Sequence, residues 1–305
     1  MSLPRIACIA LVLTLPLLNG GATEPPAPTQ EGSWALSAGS VVYESHGDGY
    51  SNIHRYDAGA PRPRPLTSHR ANDRRPRWSP DGTRVAFHSD LEGAKDVYIV
   101  NADGSGLQRV TDHPGEDFDP DWMPDGRLVF ASDRDGDQNI WVLDLETDEL
   151  AQLTHYPGGR TGGPTPAGDG RRIAFSSDGM FSWQVYLLDL ESGEIERLTG
   201  PLPGRCNPAW NPTSDRIAYM AGGDLIGTDL RSLTPSGDDA RDLASSEGDN
   251  QDPQFSQDGT RLVWVTDRHG NWEIYEAAAD GRGEHRVSTS REDERHPDLF
   301  SRATR

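Results

Sequence analysis

The sequence predicts an all-β fold: a six-bladed β-propeller of four-stranded antiparallel blades, closed by the C-terminal strand joining the N-terminal blade. Three observations carry this expectation. Pro76, Pro120, Pro164, Pro208, Pro253 and Pro297 follow one another at intervals of 44, 44, 44, 45 and 44 residues. A fixed period in the low forties marks one supersecondary unit copied and stacked. Around the prolines one phrase recurs, fullest at Pro76-Arg77-Trp78-Ser79-Pro80-Asp81-Gly82 with Val85-Ala86-Phe87 after it. Finally, the chain opens in mid-repeat and ends in Glu294-Arg295-His296-Pro297-Asp298-Leu299, a first strand with no successor. Joining the two loose ends leaves no open sheet edge.

The elements follow in order. Residues 1–22 read as a signal peptide: Arg5 gives a positive start, Ile6 to Leu18 is a 13-residue apolar run, and Gly20-Gly21-Ala22 offers a cleavage site after Ala22. That run is short of the roughly 20 residues a membrane-spanning helix needs, so no membrane span is expected after cleavage. Residues 23–38, rich in Pro, Thr, Glu and Gly, read as a linker. Residues 39–300 form the propeller, and 301–305 a tail.

Each repeat then supplies a hairpin, as in Val41-Val42-Tyr43 with Ile53-His54-Arg55-Tyr56, or Val85-Ala86-Phe87 with Val97-Tyr98-Ile99-Val100. The copy at Ile217-Ala218-Tyr219 is the weakest, its hairpin shrinking to Gly222-Gly223-Asp224. A short fourth strand ends at Thr67, Thr111, Thr154, Thr199, Ala244 and Ser288, and the next proline lies 9 or 10 residues on. Proline suits a strand entrance where no ladder donor is needed. Trp78, Trp122, Trp210 and Phe255 are expected to fill the wedges between blades, with Pro166 departing from the pattern. Pro80-Asp81-Gly82 and its equivalents are tight turns.

These motifs resemble the TolB-type propeller repeat (PD40, WD40-like): Pro-x-Trp-Ser-Pro-Asp-Gly, an apolar-apolar-aromatic strand, then Ser-Asp before Ile-Tyr or Ile-Trp. The resemblance spans about residues 39–300. It implies the propeller fold, export, and partner binding at the mouth of the central channel. TolB itself carries an α/β domain ahead of its propeller, whereas here propeller sequence is expected some sixteen residues after the cleavage site. The same repeat also accompanies peptidase domains and occurs in some lyases.

Composition narrows the partners. A formal net charge of −20 disfavours nucleic acid. Removing the signal leaves Cys206 as the one cysteine, so no internal disulfide is expected, and Cys206 reads as an inert residue near the start of an inner strand. The chain has no Gly-x-Ser-x-Gly elbow, no His-Glu-x-x-His and no Cys-x-x-Cys. Asp133-Arg134-Asp135-Gly136-Asp137 resembles a calcium loop in composition, but Asp90, Asp133, Asp178 and Asp267 share one register, which suits an Asp capping its own hairpin.

The candidate site is a ring. The residues before the six prolines are Arg75, Asp119, Gly163, Asn207, Asp252 and His296, six-fold equivalent in position yet different in chemistry except for the two Asp. They either satisfy backbone groups in solvated loops or converge as a binding site in a concave mouth. Tyr50, Met180, Phe181, Trp183 and Trp272 interrupt polar hairpins on the same face, either as anchors for a partner or as packing on a neighbouring loop. The expectation is an exported protein, periplasmic or secreted, acting as a monomeric scaffold at the cell envelope. Its ligand-binding residues would be Arg75, Asp119, Asn207, Asp252, His296, Trp183 and Trp272, with a protein or envelope component as partner and no cofactor, metal or catalytic residue. The alternative is a metal-dependent lyase or hydrolase acting on an envelope or extracellular polymer, its metal held by Asp119, Asp252 and His296.

Overall fold

The computed structural model describes residues 33–47, 49–155, 159–179, 182–200, 204–222, 227–245 and 248–301. The expected signal peptide, with most of the linker and of the tail, lies outside them. Blade 1 begins with β1 (Ser40–Gly47), β2 (Tyr50–Asp57) and β3 (Arg64–Pro65). Blade 2 is β4 (Asp73–Trp78), β5 (Arg84–Ser89), β6 (Asp96–Asn101) and β7 (Gln108–Arg109). Blade 3 is β8 (Asp117–Trp122), β9 (Leu128–Ser132), β10 (Asn139–Leu143) and β11 (Leu150–Gln152). Blade 4 is β12 (Thr161–Pro166), β13 (Arg172–Ser177), β14 (Gln184–Asp189) and β15 (Ile195–Arg197). Blade 5 is β16 (Arg205–Trp210), β17 (Ile217–Gly222), β18 (Thr228–Leu233) and β19 (Arg241–Ala244). Blade 6 is β20 (Asn250–Phe255), β21 (Arg261–Thr266), β22 (Glu273–Ala278) and β23 (His285–Arg286).

The last strand, β24 (Asp293–Phe300), returns to blade 1 and pairs antiparallel with β1, with Val41 opposite Leu299 and Ser45 opposite Glu294. All six sheets then have four strands, and the ring is closed as the sequence predicts. The closing strand also grips blade 2. Asp298 accepts a hydrogen bond from the Trp78 backbone N–H at 2.7 Å, and the Phe300 ring lies 5.6 Å from that of Trp78. Phe300 sits on the Pro80-Asp81-Gly82 turn so closely that a Cβ on Gly82 (φ 72°) would come within 2.2 Å of its ring.

Six apolar clusters fill the six wedges. Trp78 packs with Val42 and Ile53 between blades 1 and 2. Trp122 does so with Ala86 and Ile99 between blades 2 and 3. Trp210 and Phe255 serve the wedges on either side of blade 5. Between blades 3 and 4, where the repeat offers Pro166, Met123, Phe175 and Tyr186 fill the space instead. Full burial of a large side chain contributes about 1.5–3 kcal/mol, so these wedges supply the cohesion of a chain whose blades share no covalent cross-link. Cys206 is buried in β16 beside Ala218 and Phe255.

Two recurrent side chains brace the blades, a Thr or Ser in five and an Asp in four. Thr67, Thr111, Thr154, Thr199 and Ser288 accept the backbone N–H of Ile53, Val97, Ile140, Val185 and Ile274 in the third strands, at 2.9–3.0 Å. The recurrent aspartates behave differently from the expected hairpin caps. Asp90, Asp133, Asp178 and Asp267 accept the backbone N–H of Asn72, Glu116, Arg160 and Asp249 at 2.7–2.8 Å. Each carboxylate therefore fastens the loop leading into its own blade's inner strand. This is a longer-range tie than a capped turn, and it fixes the approach to the channel mouth.

Candidate functional site at the channel mouth

At every X-Pro step the inner strand bulges. Register slips between Arg74 and Arg77, Phe118 and Asp121, Gly162 and Thr165, Cys206 and Ala209, and Gln251 and Gln254. It slips likewise where Arg295 and Asp298 of β24 face β1. The residue before each proline is left-handed: φ is 53° at Arg75, 52° at Asp119, 56° at Gly163, 51° at Asn207, 53° at Asp252 and 46° at His296. Five of these are not glycine, and a non-glycine residue costs roughly 1–2 kcal/mol there. The same conformation repeated around one ring re-aims five side chains into the channel, and strain of this kind concentrates at functional sites.

The bulge frees backbone N–H groups, and side chains of the preceding blade take several of them. Glu44 accepts the Arg75 N–H at 2.6 Å, His88 Nδ1 the Asp119 N–H at 3.2 Å, and Ser176 the Asn207 N–H at 2.9 Å. These three polar residues occupy the second-strand register that elsewhere holds Ala131, Met220 and Val265. Sequence reasoning missed them, although a polar residue in that apolar register was the available signal.

The ring side chains join almost end to end. Arg75 Nε contacts Asp119 Oδ1 at 2.9 Å, and Asp119 Oδ2 accepts the Gly163 N–H at 3.2 Å. Asn207 Nδ2 donates to Asp252 Oδ1 at 2.7 Å, Asp252 Oδ2 faces His296 Nε2 at 3.2 Å, and His296 Nδ1 faces Glu44 Oε1 at 2.5 Å. The circuit opens only between Gly163 and Asn207, where glycine has no side chain to offer.

Electrostatics follow from burial and pairing. Burial would raise the Glu44 carboxyl, but His296, His46 and the Arg75 N–H hold it well below the usual range. Burial likewise opposes ionisation of Asp119, yet Arg75, His88 and His296 keep it low. Burial pushes the His88 imidazole down to about 4, against the pull of Asp119 and Glu44.

The ring floors a cavity of about 490 Å³. Arg75, Asp119, Asn207, Asp252 and His296 all line it, as does Trp183 from its hairpin. Trp272 does not line the cavity. Its ring lies under the guanidinium of Arg295, 3.7 Å away, and Arg295 lines the rim. Trp183 is similarly covered by Arg160 at 5.2 Å. Tyr50 is 39% exposed and stands apart from the cavity, while Met180 and Phe181 lie outside the described residues.

A metal ion does not fit the side chains at this mouth. Both His296 nitrogens face carboxylates, both Asp252 oxygens are engaged by Asn207 and His296, and both Asp119 oxygens are engaged by Arg75 and Gly163. Among the described residues no group of three or more His, Cys, Asp or Glu is placed to hold one. At 133–137, Asp133 ties the Glu116 N–H and Asp135 accepts from Gln152 at 2.6 Å, so those carboxylates diverge. Nor is any helix among the described residues long and apolar enough to cross a membrane.

These features define a closed six-bladed propeller whose inner-strand bulges build a polar cavity at one mouth of the channel. The chain belongs to the TolB beta propeller domain family, whose profile matches residues 26–127 and 109–226. Among solved structures, TolB from Acinetobacter baumannii is similar over 86% of this chain and 67% of its own, at 20% identity and a TM-score of 0.74. An oligogalacturonate lyase in complex with manganese is similar over 83% of this chain and 75% of its own, at 18% identity and a TM-score of 0.56. A puromycin-hydrolyzing peptidase of Mycobacterium tuberculosis is similar over 85% of this chain and 45% of its own, at 18% identity and a TM-score of 0.58. At such identities the likeness concerns the fold. A comparison with curated proteins finds no match.

Proposed function

We propose that this protein is an exported, monomeric TolB-like propeller that works in the periplasm or outside the cell as a protein-binding scaffold, engaging its partner at the channel mouth. One observation carries the reading: Arg75, Asp119, Asn207, Asp252 and His296, which share one left-handed backbone conformation with Gly163, floor a common cavity and are cross-tied into a preorganised surface. Preorganisation lowers the entropy cost of binding, and convergent polar groups with aromatic walls are the usual make-up of a recognition site. The rival reading, a metal-dependent lyase or hydrolase, needs donors that here are spent on one another.

Capture from an envelope extract tests the proposal, with intact mass of the native protein reporting cleavage after Ala22. Trp183→Ala combined with Trp272→Ala should weaken capture by about 2 kcal/mol or more, the first by removing a wall and the second by releasing Arg295. Unchanged capture by a folded double variant would move the site off this face.

A further inference from the structure

The register two residues before each proline forms the rim above the ring: Arg74, Phe118, Gly162, Cys206, Gln251 and Arg295. Together with the hairpins it gathers cations at the mouth of a strongly acidic chain. Five cations line the cavity against three carboxylates, Glu116, Asp119 and Asp252. Three of the five are neutralised: Lys95 by Glu116 at 2.8 Å, Arg75 by Asp119 at 2.9 Å and Arg160 by Asp178 at 2.6 Å.

Arg74 and Arg295 are different. Among the described residues neither has a carboxylate at ion-pair distance. Arg74 is exposed on β4, and Arg295 makes only a 3.3 Å contact with Gln251 besides its stack on Trp272. They occupy the same register on β4 and β24, inner strands that pack against each other. Burial lowers the Arg295 pKa despite Asp252, Asp293, Glu44 and Asp267 nearby, so the surrounding field leaves its desolvation uncompensated. Two guanidinium groups on neighbouring strands, one of them already oriented by a tryptophan face, match the planar fork of a carboxylate. Phe118, Met220 and Trp183 are the large apolar side chains that also line the cavity, with Lys95 and Arg160 over the Phe118 and Trp183 rings.

We propose that the Arg74–Arg295 pair is a carboxylate clamp and that the mouth receives an acidic peptide segment of a protein partner, its carboxylates on the two guanidiniums and its apolar side chains against Phe118, Met220 and Trp183. This rests on the channel mouth being the binding face. The chain's net charge of −20 disfavours such a segment overall, so the clamp also orients its approach.

Fluorescence anisotropy on the folded protein tests it, with a fluorescein-labelled octapeptide of alternating Glu and Leu as probe. The Gln-Leu counterpart should bind at least about tenfold more weakly, as should the Glu-Leu probe to each of Arg74→Gln and Arg295→Gln, with the double variant weaker still. Arg74→Lys with Arg295→Lys should recover part of the affinity, keeping charge but losing the fork. Equal binding of the two peptides, or full affinity in a double Gln variant with a wild-type melting curve, overturns the clamp. Preference for hexagalacturonate over the Glu-Leu peptide also overturns it, in favour of an anionic sugar. If no anionic probe binds while the Trp183 and Trp272 variants still lose envelope capture, the clamp fails and the mouth reading stands. If the peptide binds through both arginines while capture ignores every mouth variant, the clamp stands and the scaffold reading fails.

Discussion

Replacing Glu44 isolates what the ring contributes to stability. Glu44 is 1% exposed on β1, accepts the Arg75 N–H from blade 2 and pairs with His296 of the closing strand. Glu44→Ala strands a backbone donor, which costs about 1–3 kcal/mol, and takes from a largely buried His one of its two carboxylate neighbours, Asp252 remaining, a loss of up to about 3–5 kcal/mol when the site is dry. His296 keeps 18% of its side-chain surface exposed, so water recovers part of the second loss. Because the two share one carboxylate they do not add, and about 3–4 kcal/mol is expected in total. Glu44→Gln keeps an acceptor for Arg75 and should cost about 1–2 kcal/mol. Urea unfolding measures both, and hydrogen exchange should show the first opening between β1 and β24. The carboxyl is held low in the fold, so its stabilisation is present above the unfolded pKa and is lost as pH falls through the folded one. Both variants should therefore lose that acid sensitivity. A Glu44→Ala loss under about 1 kcal/mol, or one equal to that of Glu44→Gln, would refute the reasoning.

His88 provides a pH signature of opposite chemistry. Its folded pKa of about 4 lies below the unfolded value of 6.5, so the unfolded chain takes up the proton first and stability falls as pH drops from 6.5 towards 4. Relative to His88→Gln, wild type should lose about 3 kcal/mol across that window, and a pH-independent difference in unfolding free energy would count against burial as the cause. Deleting residues 292–305 removes β24 and should abolish cooperative unfolding. A truncated chain that melts like the full-length protein would mean that the ring does not depend on its closing strand.

The propeller was legible because its determinants repeat. Proline at the strand entrance, an aromatic in the wedge, Pro-Asp-Gly at the turn and Thr at the fourth strand each recur often enough to outweigh single departures such as Pro166. The ring positions were legible for the converse reason: the same register carries Arg75, Asp119, Asn207, Asp252 and His296 where structural positions stay alike. Their left-handed backbone was not, since residues before proline are ordinarily extended and only the ladder shows the bulge. Glu44, His88 and Ser176 sit in strands read as apolar, and their role depends on an N–H from the next blade about 31 residues on. The aspartates were seen as a register, but a local cap and a tie to residues 17 or 18 positions earlier look identical in sequence. For Trp272 the hairpin position was right, while the face on which its ring lies depends on Arg295.

The pairing of β24 with β1 has a consequence for how the molecule comes into being. Its partners stand some 250 residues apart, so blade 1 stays one strand short until the rest of the chain has emerged. Closing so long a loop is entropically slow and late. Throughout synthesis, and any passage of the unfolded chain across a membrane, β1 presents a bare edge while the other blades can already assemble. The channel mouth, whose Glu44–His296 link spans that same seam, is completed last. An incomplete chain thus cannot present the finished mouth, and any capture there would require the ring to be shut.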